Sequence, residues 1–184
     1  MSEPSYIALL NSIAVNERKG EILLNAWADA TADQEFSQVL RFVAIREGEH
    51  AMAFTKRMCE LGCPVCEETA FQVFKDFDGL LACIESSGSD VEKIGRFTGG
   101  LDSTDEARDP FTGFFNDTTI DPQTGALLGR YIAEERDSGR RLKAEYERVC
   151  AAAPASASEI AELKACVEEL RGEIAELKGV RSVA

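Results

Sequence analysis

Two long stretches near the amino terminus carry apolar residues at intervals of three and four, the pattern of an amphipathic helix. The first covers residues 6–29, and the second covers residues 36–61 before Gly62 and Pro64 end the pattern. A short polar segment, residues 29–33, separates them. Two long helices joined by so short a break must double back on each other. The sequence therefore predicts an antiparallel helical hairpin.

The rest of the chain also indicates helices, with one long interruption. Residues 70–86 have helical apolar spacing, and residues 91–97 form a further short helix or continue the first. Residues 98–124, rich in Gly, Asp, Thr and Pro, predict a long loop, with a turn of helix at residues 110–116 at most. Residues 125–152 return to the amphipathic pattern. The predicted fold class is all-α.

The carboxyl-terminal part has a different pattern. Residues 151–158, AAAPASAS, predict a linker after a domain that spans residues 1–150. Within residues 159–184, apolar side chains occupy the a and d positions of heptads, and Glu173 would face Lys178 of a parallel partner. The segment predicts a coiled-coil helix that makes the protein a homo-oligomer. A helix that packs back on its own bundle is the alternative, because the repeat is short.

Composition narrows the class of protein. The 184 residues include 33 acidic and 20 basic side chains, which gives a formal net charge of −13. Clusters of Lys and Arg that would neutralise phosphates do not occur, so no nucleic-acid partner is expected. No apolar run approaches the roughly 18 residues of a membrane span, and no basic region precedes the first apolar stretch. The sequence predicts a cytoplasmic protein without a membrane partner, whose six cysteines are reduced thiols.

Charged side chains fall on the apolar faces of the first two predicted helices. Glu47 and His50, spaced i and i+3, lie in the middle of the inward face of the second helix. Glu17 and Glu21 lie likewise on the first helix, and Glu17 stands at a similar height in the hairpin. Charged groups in a core are expensive to desolvate without a partner. A bound metal ion is the simplest partner, whereas Glu49 points to the opposite side and is expected in solvent.

The order of Glu17 and then Arg46 to His50, within the segment AIREGEHAMAFTKRM, resembles the first half of a rubrerythrin-type, ferritin-like four-helix bundle. The resemblance covers approximately residues 5–150. It implies a di-iron carboxylate protein, with two irons as cofactor and with oxygen, peroxide or ferrous iron as small substrates. By the same resemblance, Glu17 and His50 are terminal ligands of one iron, and Glu47 bridges to the second.

The second half of the chain departs from the family pattern, because His50 is the only histidine. Aligning the family motif selects Glu134 and Asp137, whereas helical phase places Glu135 at the centre of the inward face and is preferred here. The sequence leaves open a site with two irons, a site with one, and a site that has been lost. The ligand candidates from the middle of the chain are three acidic residues: Asp78, Glu85 and Glu92.

A second candidate lies just beyond the second helix, where Cys63 and Cys66 form a C-x-x-C motif one turn after Cys59. Such a pair acts as a reversible disulfide or as half of a thiolate metal site. The other cysteines are isolated, so a four-thiolate site cannot be assembled from the sequence. The alternative is that these are small residues at a helix end. Phosphate-binding loops, nucleophile elbows and dinucleotide fingerprints do not occur.

Two functions from different classes remain open. The first is a metal-binding ferritin-like protein with oxidase, peroxidase or ferroxidase chemistry at a carboxylate-bridged iron centre, with Tyr131 and Tyr146 facing the same core. The second is a non-enzymatic helical bundle that has lost its metal site and serves as an oligomeric scaffold or interaction module. Binding of iron by Glu17, Glu47 and His50 separates the two.

Overall fold

The computed structural model describes residues 6–99 and 118–152, and every regular element in these residues is helical. The α-helices are α1 (Ile7–Ala30), α2 (Gln34–Glu60), α3 (Phe77–Glu85), α4 (Asp90–Gly99) and α5 (Pro122–Ala152). A single turn of 3₁₀ helix, Glu67–Thr69, lies between α2 and α3. The predicted all-α class is confirmed for this part of the chain.

Helices α1 and α2 form the predicted hairpin. Asp33 begins α2 by accepting a hydrogen bond of 3.0 Å from the backbone N–H of Phe36. This N-cap satisfies one of the donors that the start of a helix leaves unpaired. Next to the turn, Ser37 Oγ donates to the carbonyl of Ala28 at 2.7 Å, which joins the two helices directly.

Helix α5 lies alongside the hairpin and is tied to it at both ends. At its start, Asp121 accepts hydrogen bonds from Arg57 (2.9 Å), near the end of α2, and from Tyr6 (2.8 Å), next to the start of α1. Near its other end, Arg148 donates two hydrogen bonds of 2.9 Å to Asp33 at the start of α2. Helix α5 therefore runs antiparallel to α2 and parallel to α1.

Two hydrophobic clusters fill the bundle, one on each side of a polar layer. The cluster near the hairpin turn contains the fully buried Trp27, Phe36 and Val43, and side chains of α3, α4 and α5 complete it. The cluster at the other end is built around Leu10 and Phe54, and side chains of α5 complete it. Between the two clusters, the inward positions of α1, α2 and α5 carry charged side chains.

The short helices α3 and α4 cover the cluster near the hairpin turn. The start of α4 is held by Asp90, which accepts hydrogen bonds from Trp27 Nε1 (2.8 Å) and Thr31 Oγ1 (2.6 Å). Ile84 of α3 and Ile94 of α4 are both buried in the cluster. Helix α4 corresponds to the separate short helix, one of the two alternatives that the sequence left open for residues 91–97.

The helix predicted for residues 70–86 is wrong in its first part, because α3 begins only at Phe77. The preceding backbone is held by a side chain of α1: Asn16 donates to the carbonyl of Phe71 at 2.7 Å and accepts from the N–H of Val73 at 2.9 Å. Backbone groups that pair with a side chain in this way are not available to a helix. As a result, Phe71 is 70% exposed instead of lying on an inward helical face.

None of the helices in the described part of the chain combines the length and the apolar character that crossing a bilayer requires. The predicted linker (residues 151–158) and coiled-coil helix (residues 159–184) lie outside the described residues, except that α5 continues through Ala152. Most of the loop predicted at residues 98–124, with its turn of helix, also lies outside them. The parallel pairing of the tail and the homo-oligomer stay predictions.

Asp33 has two stabilising roles, since it caps α2 and pairs with Arg148 of α5. We expect Asp33→Ala to lower the free energy of unfolding by about 1–2 kcal/mol, the usual cost of a lost N-cap. Asp33→Asn keeps a cap acceptor and loses only the ion pair, so its loss is expected to be smaller. Urea unfolding followed by circular dichroism measures both, and equal losses would contradict the capping role.

The same ion pair predicts a dependence of stability on pH. Hydrogen bonds from Arg148 hold the pKa of Asp33 below its ordinary value of 3.8. Because the folded-state pKa is depressed, the stabilising contribution is complete above pH about 4 and is lost as the pH falls through the folded-state value. The difference in unfolding free energy between the parent and Asp33→Asn should therefore shrink in acid. A difference that stays constant down to acid pH would argue against the ion pair.

Candidate metal centre

The polar layer between the two clusters is built around His50. This side chain, the only imidazole of the chain, is 3% exposed near the middle of α2. Helix α1 contributes Glu17, which is 5% exposed, and α5 contributes Glu134 and Glu135. The apolar faces of the three long helices also carry Glu17, His50 and Glu135. Packing of these faces against one another therefore directs the three side chains toward the interior.

Both ring nitrogens of His50 face carboxylates. Nδ1 lies 3.0 Å from Oε2 of Glu17 and 3.3 Å from Oε1 of Glu135, and Nε2 lies 2.8 Å from Oε2 of Glu134. Burial alone would lower the pKa of His50, but its contacts with Glu135, Glu17 and Glu134 outweigh this effect and raise the pKa from 6.5 to about 10. Without a metal ion, the imidazole is therefore positively charged at neutral pH.

Glu17 is held by both of its oxygens. Oε1 accepts a hydrogen bond of 2.9 Å from the hydroxyl of Tyr131, and Oε2 faces His50. Burial raises the pKa of the Glu17 carboxyl, although the hydrogen bond with His50 acts in the opposite direction. Tyr131 also stands edge-on to His50, with ring centroids 5.0 Å apart. Tyr131 therefore orients Glu17 and packs against the imidazole at the same time.

Glu47 lies one turn before His50 and occupies space that a glycine provides. A β-carbon at Gly20 of α1 would come within 2.5 Å of Glu47 Oε2. Burial raises the pKa of Glu47 well above its ordinary value of 4.5, and the negative charges of Glu17 and Glu135 raise it further. The structure thus brings Glu47 to the same layer as Glu17, His50 and Glu135.

Glu135 leaves one carboxylate oxygen without a hydrogen bond. Its Oε1 is buried and has no hydrogen-bond partner within the described residues, although His50 Nδ1, which pairs with Glu17, is 3.3 Å away. The ligand atoms of Glu17, His50 and Glu135 all lie within 4.8 Å of one another. Ligands around one ion with bonds of about 2 Å lie up to about 4 Å apart, so a small movement of these side chains would bring the three atoms onto one ion.

The layer carries more negative than positive charge. Arg130 lies 3.0 Å from Glu134 and balances it at the edge of the layer. His50 contacts Glu17 and Glu135, and Glu47 lies beside these two carboxylates, so a single imidazole compensates only part of the charge that the three would carry when ionised. Burial of such an excess is costly, and either protonation of a carboxyl group or a bound cation reduces it.

The family motif and helical phase select different acidic residues of α5, and the structure agrees with each of them in part. Asp137 faces away from the layer, as helical phase predicts, and pairs with Arg46 of α2 at 2.7 Å. Glu135 reaches His50, also as phase predicts, but the neighbouring Glu134 reaches it too. The imidazole is wide enough to contact two consecutive residues of α5, one through each ring nitrogen.

The remaining acidic candidates lie elsewhere. The Glu21 carboxylate pairs with Arg18 and lies against Gly48, in a groove on the surface of the hairpin. The structure therefore does not bring Glu21 to the layer around His50. The candidates from the middle of the chain are exposed residues of α3 and α4 outside the layer: Asp78, Glu85 and Glu92.

Cys63 and Cys66 follow α2 as predicted, and both are thiols. Asn11 holds the backbone of Cys66, donating to its carbonyl and accepting from its N–H, each at 2.8 Å. The Cys66 thiol lies 3.1 Å from a carboxylate oxygen of Glu68. Among the described residues, the group with the spacing of metal ligands is the one around His50 rather than these thiols. A redox role for the pair stays a prediction.

Gly20 and Arg130 belong to the layer, although the sequence alone did not single them out. Glycine costs a helix interior about 1 kcal/mol relative to alanine, so a mid-helix Gly20 at the height of Glu47 is a signal of close approach. Arg130 precedes Glu134 by four residues, a spacing at which helical side chains meet.

A cavity of about 360 Å³ adjoins the layer. Glu17, Glu47, Tyr131 and Glu135 form its polar end. The carboxylates of the layer are thus buried among protein atoms on one side and border open space on the other.

Comparison of the chain with models of protein families, with curated proteins and with solved structures finds no match. The class of protein must therefore be inferred from the fold of this chain and from the chemistry of the layer around His50.

His50 provides a direct test of the layer, because it gives the only histidine signal in a nuclear magnetic resonance spectrum. In chelator-treated protein we expect its pKa to be raised from 6.5 to about 10. Glu134→Gln removes one of the facing carboxylates and should lower this pKa. Glu85→Gln, on the exposed surface of α3 outside the layer, should leave it unchanged. Titration of the parent at the ordinary value would contradict the contacts described above.

The raised pKa also predicts how the metal-free protein responds to alkali. Because the folded-state pKa of His50 exceeds the unfolded value of 6.5, its contribution to stability is complete below that pH and is lost as the pH rises toward about 10. Urea unfolding at a series of pH values measures this loss. In His50→Gln the same loss should be absent, and an identical pH profile for parent and variant would count against the charged imidazole.

Proposed function

We propose that this chain is a ferritin-like metal-binding protein whose layer around His50 holds iron. The observation that carries the proposal is the convergence of Glu17, His50 and Glu135, from three helices, with ligand atoms within 4.8 Å of one another. A cation at this point would pair with the Glu135 oxygen that has no hydrogen bond within the described residues. It would also reduce the excess of buried negative charge.

The donor set favours a transition metal. Carboxylates and carbonyls suit magnesium and calcium, whereas imidazole suits zinc, copper, iron and nickel. One imidazole with carboxylates is a donor set used by non-haem iron proteins, and iron in such a site supplies electron transfer to oxygen or peroxide. The resemblance of residues 5–150 to rubrerythrin-type proteins supports iron among these metals.

The departures from the family pattern bear on the number of ions. Helix α5 offers Glu134 and Glu135 but no second histidine. We therefore expect the first ion at Glu17, His50 and Glu135, with Glu47 as the carboxylate that a second ion would share. A dinuclear centre, a mononuclear centre and a lost centre differ in the number of irons bound per chain.

The other residues of the layer position these ligands. Nε2 of His50 pairs with Glu134, which leaves Nδ1, the nitrogen facing Glu17 and Glu135, for an ion. Tyr131 donates a hydrogen bond to Glu17 and holds its orientation. The hydrophobic clusters cover the layer on two sides, and the adjoining cavity gives oxygen or peroxide a route to it. These features support oxidase, peroxidase or ferroxidase chemistry.

Metal content is the first experiment. Protein purified without chelator is analysed by elemental mass spectrometry and then titrated with ferrous iron in the absence of oxygen. About two irons per chain support a dinuclear centre, about one supports a mononuclear centre, and none after titration contradicts the proposal. Turnover of the loaded protein with oxygen, with peroxide and with excess ferrous iron, followed by oxidant consumption and ferric iron formation, then distinguishes the three reactions.

Carboxylate variants test which residues hold the metal. We expect Glu135→Gln to weaken ferrous iron binding by at least about 10-fold, because it removes a proposed ligand. Glu85→Gln changes an exposed acid of α3 outside the layer and serves as the control with unchanged affinity. Glu21→Gln should behave like the control, since Glu21 lies outside the layer. A loss of affinity in Glu21→Gln equal to that in Glu135→Gln would show that the ligand set is wrong.

Two glycines of the hairpin provide a matched pair of variants. A β-carbon at Gly20 displaces the buried Glu47, whereas a β-carbon at Gly48 comes within 2.9 Å of Glu21, which is free to move toward solvent. We expect Gly20→Ala to weaken iron binding by about 10-fold or more, the usual effect of disturbing groups around a metal. Gly48→Ala should bind iron like the parent. Equal affinities of the two variants would exclude Glu47 from the centre.

A second function is favoured by one observation: both ring nitrogens of His50 already pair with carboxylates, those of Glu17 and Glu134. Such a network holds three helices together without a metal, as expected of a non-enzymatic scaffold or interaction module. In that case, deletion of residues 158–184 should convert an oligomer to a monomer in light-scattering measurements without unfolding the bundle. An oligomer that survives the deletion would contradict a scaffold assembled by its tail.

A further inference from the structure

We propose that the cavity beside the layer around His50 binds a small apolar organic molecule, one end of which lies next to the carboxylates of the layer. This binding does not require the metal.

The volume of the cavity is the first reason. Its 360 Å³ lies at the lower end of the range of about 300–1,000 Å³ that small-molecule sites occupy. A molecule the size of water takes up about 30 Å³, so oxygen or peroxide alone would use roughly a tenth of the space. The cavity is therefore much larger than the small oxidants require.

The chemistry of the walls is the second reason. Apolar side chains line most of the cavity, with Leu9 and Leu24 on α1 and Leu142 on α5. The charged lining residues Glu17, Glu47 and Glu135 belong to the layer, and Ser12 and Asn16 add polar groups at the entrance. A mostly apolar lining with a few polar groups is typical of sites that bind small organic molecules. A ligand would bury its carbon skeleton against the leucines and place one end next to the proposed iron.

Aromatic side chains also line the cavity. Phe74 and Phe97 pack against each other with ring centroids 6.0 Å apart, and both line the cavity. Phe71, 70% exposed, also lines it and stands where the cavity reaches the surface. These aromatic side chains would add to the apolar contact area that a ligand buries.

The entrance is held in place before any ligand binds. Asn16 pairs with the backbone of Phe71 and Val73, and Ser12 Oγ accepts a hydrogen bond of 3.0 Å from the N–H of Phe71. Both polar residues come from α1, which also carries Glu17. The entrance and the proposed metal ligand Glu17 thus lie on the same helix. An organic molecule would therefore bind to a site that is largely preformed.

A groove elsewhere on the hairpin is the competing site for any apolar probe. It has a volume of about 740 Å³, and Met52, 69% exposed, lies in it. Several of its side chains are charged, among them Arg18, Lys19 and Lys56, and it contains none of the residues that face His50. The test must therefore separate binding in this groove from binding in the cavity.

Titration of the full chain with N-phenyl-1-naphthylamine, a neutral aromatic probe that fluoresces in apolar surroundings, tests the proposal. We expect saturable binding to the chelator-treated parent. Leu142→Trp and Leu9→Trp fill the cavity from α5 and α1 and should weaken binding by at least about 10-fold, or 1.4 kcal/mol. Met52→Trp makes the matched change in the groove and should bind the probe like the parent.

Two results would overturn the proposal: no saturable binding by the parent, or binding that Met52→Trp abolishes and both cavity variants keep. Circular dichroism checks that each variant is folded. If Leu142→Trp does not fold, Leu9→Trp is compared with Met52→Trp instead. Ferrous iron titration of the same proteins separates this proposal from the proposed function. Probe binding without iron binding contradicts only the metal centre, and iron binding without probe binding contradicts only the organic ligand.

Discussion

A single buried imidazole that faces several carboxylates is the interaction on which the rest of the bundle depends. His50 contacts α1 through Glu17 and α5 through Glu134 and Glu135, so one side chain of α2 joins all three long helices. In an interior of low dielectric constant these contacts are strong, and leaving any of the charges unpaired is costly. The ion pairs at the two ends of α5 act in the same way at two further heights, so α5 is held to the hairpin at three levels.

The long helices and the centre of the layer could be predicted because their signals are local. The spacing of apolar residues defines α1, α2 and α5, and helical phase turns Glu17, His50 and Glu135 toward the core. The stretch before α3 could not be predicted in this way. Its apolar residues also have helical spacing, but Asn16, 55 residues earlier in the chain, takes up the backbone of Phe71. A hydrogen-bond partner that distant in the sequence cannot be detected from the local spacing of apolar residues.

Residues at the edge of an apolar stripe show where helical phase stops being informative. Glu21 and Glu17 are one turn apart on α1 and appear equally inward in the sequence, yet only Glu17 faces His50. Glu134 shows the opposite case. Phase places it beside the core face, yet it contacts His50 because the imidazole is wide enough to reach it. Phase gives a direction around one helix, whereas the outcome at such positions depends on which side chains the neighbouring helices present.

The close contact between α1 and α2 has a reciprocal form, with Glu47 lying over Gly20 and Glu21 lying over Gly48. At each glycine, the absence of a side chain on one helix makes room for an acidic side chain of the other helix. Such positions are coupled in pairs: a side chain gained at one glycine requires the facing acid to move, to become shorter or to be lost. Transfer of this layer to another helical hairpin would therefore require grafting the small residues together with the acids.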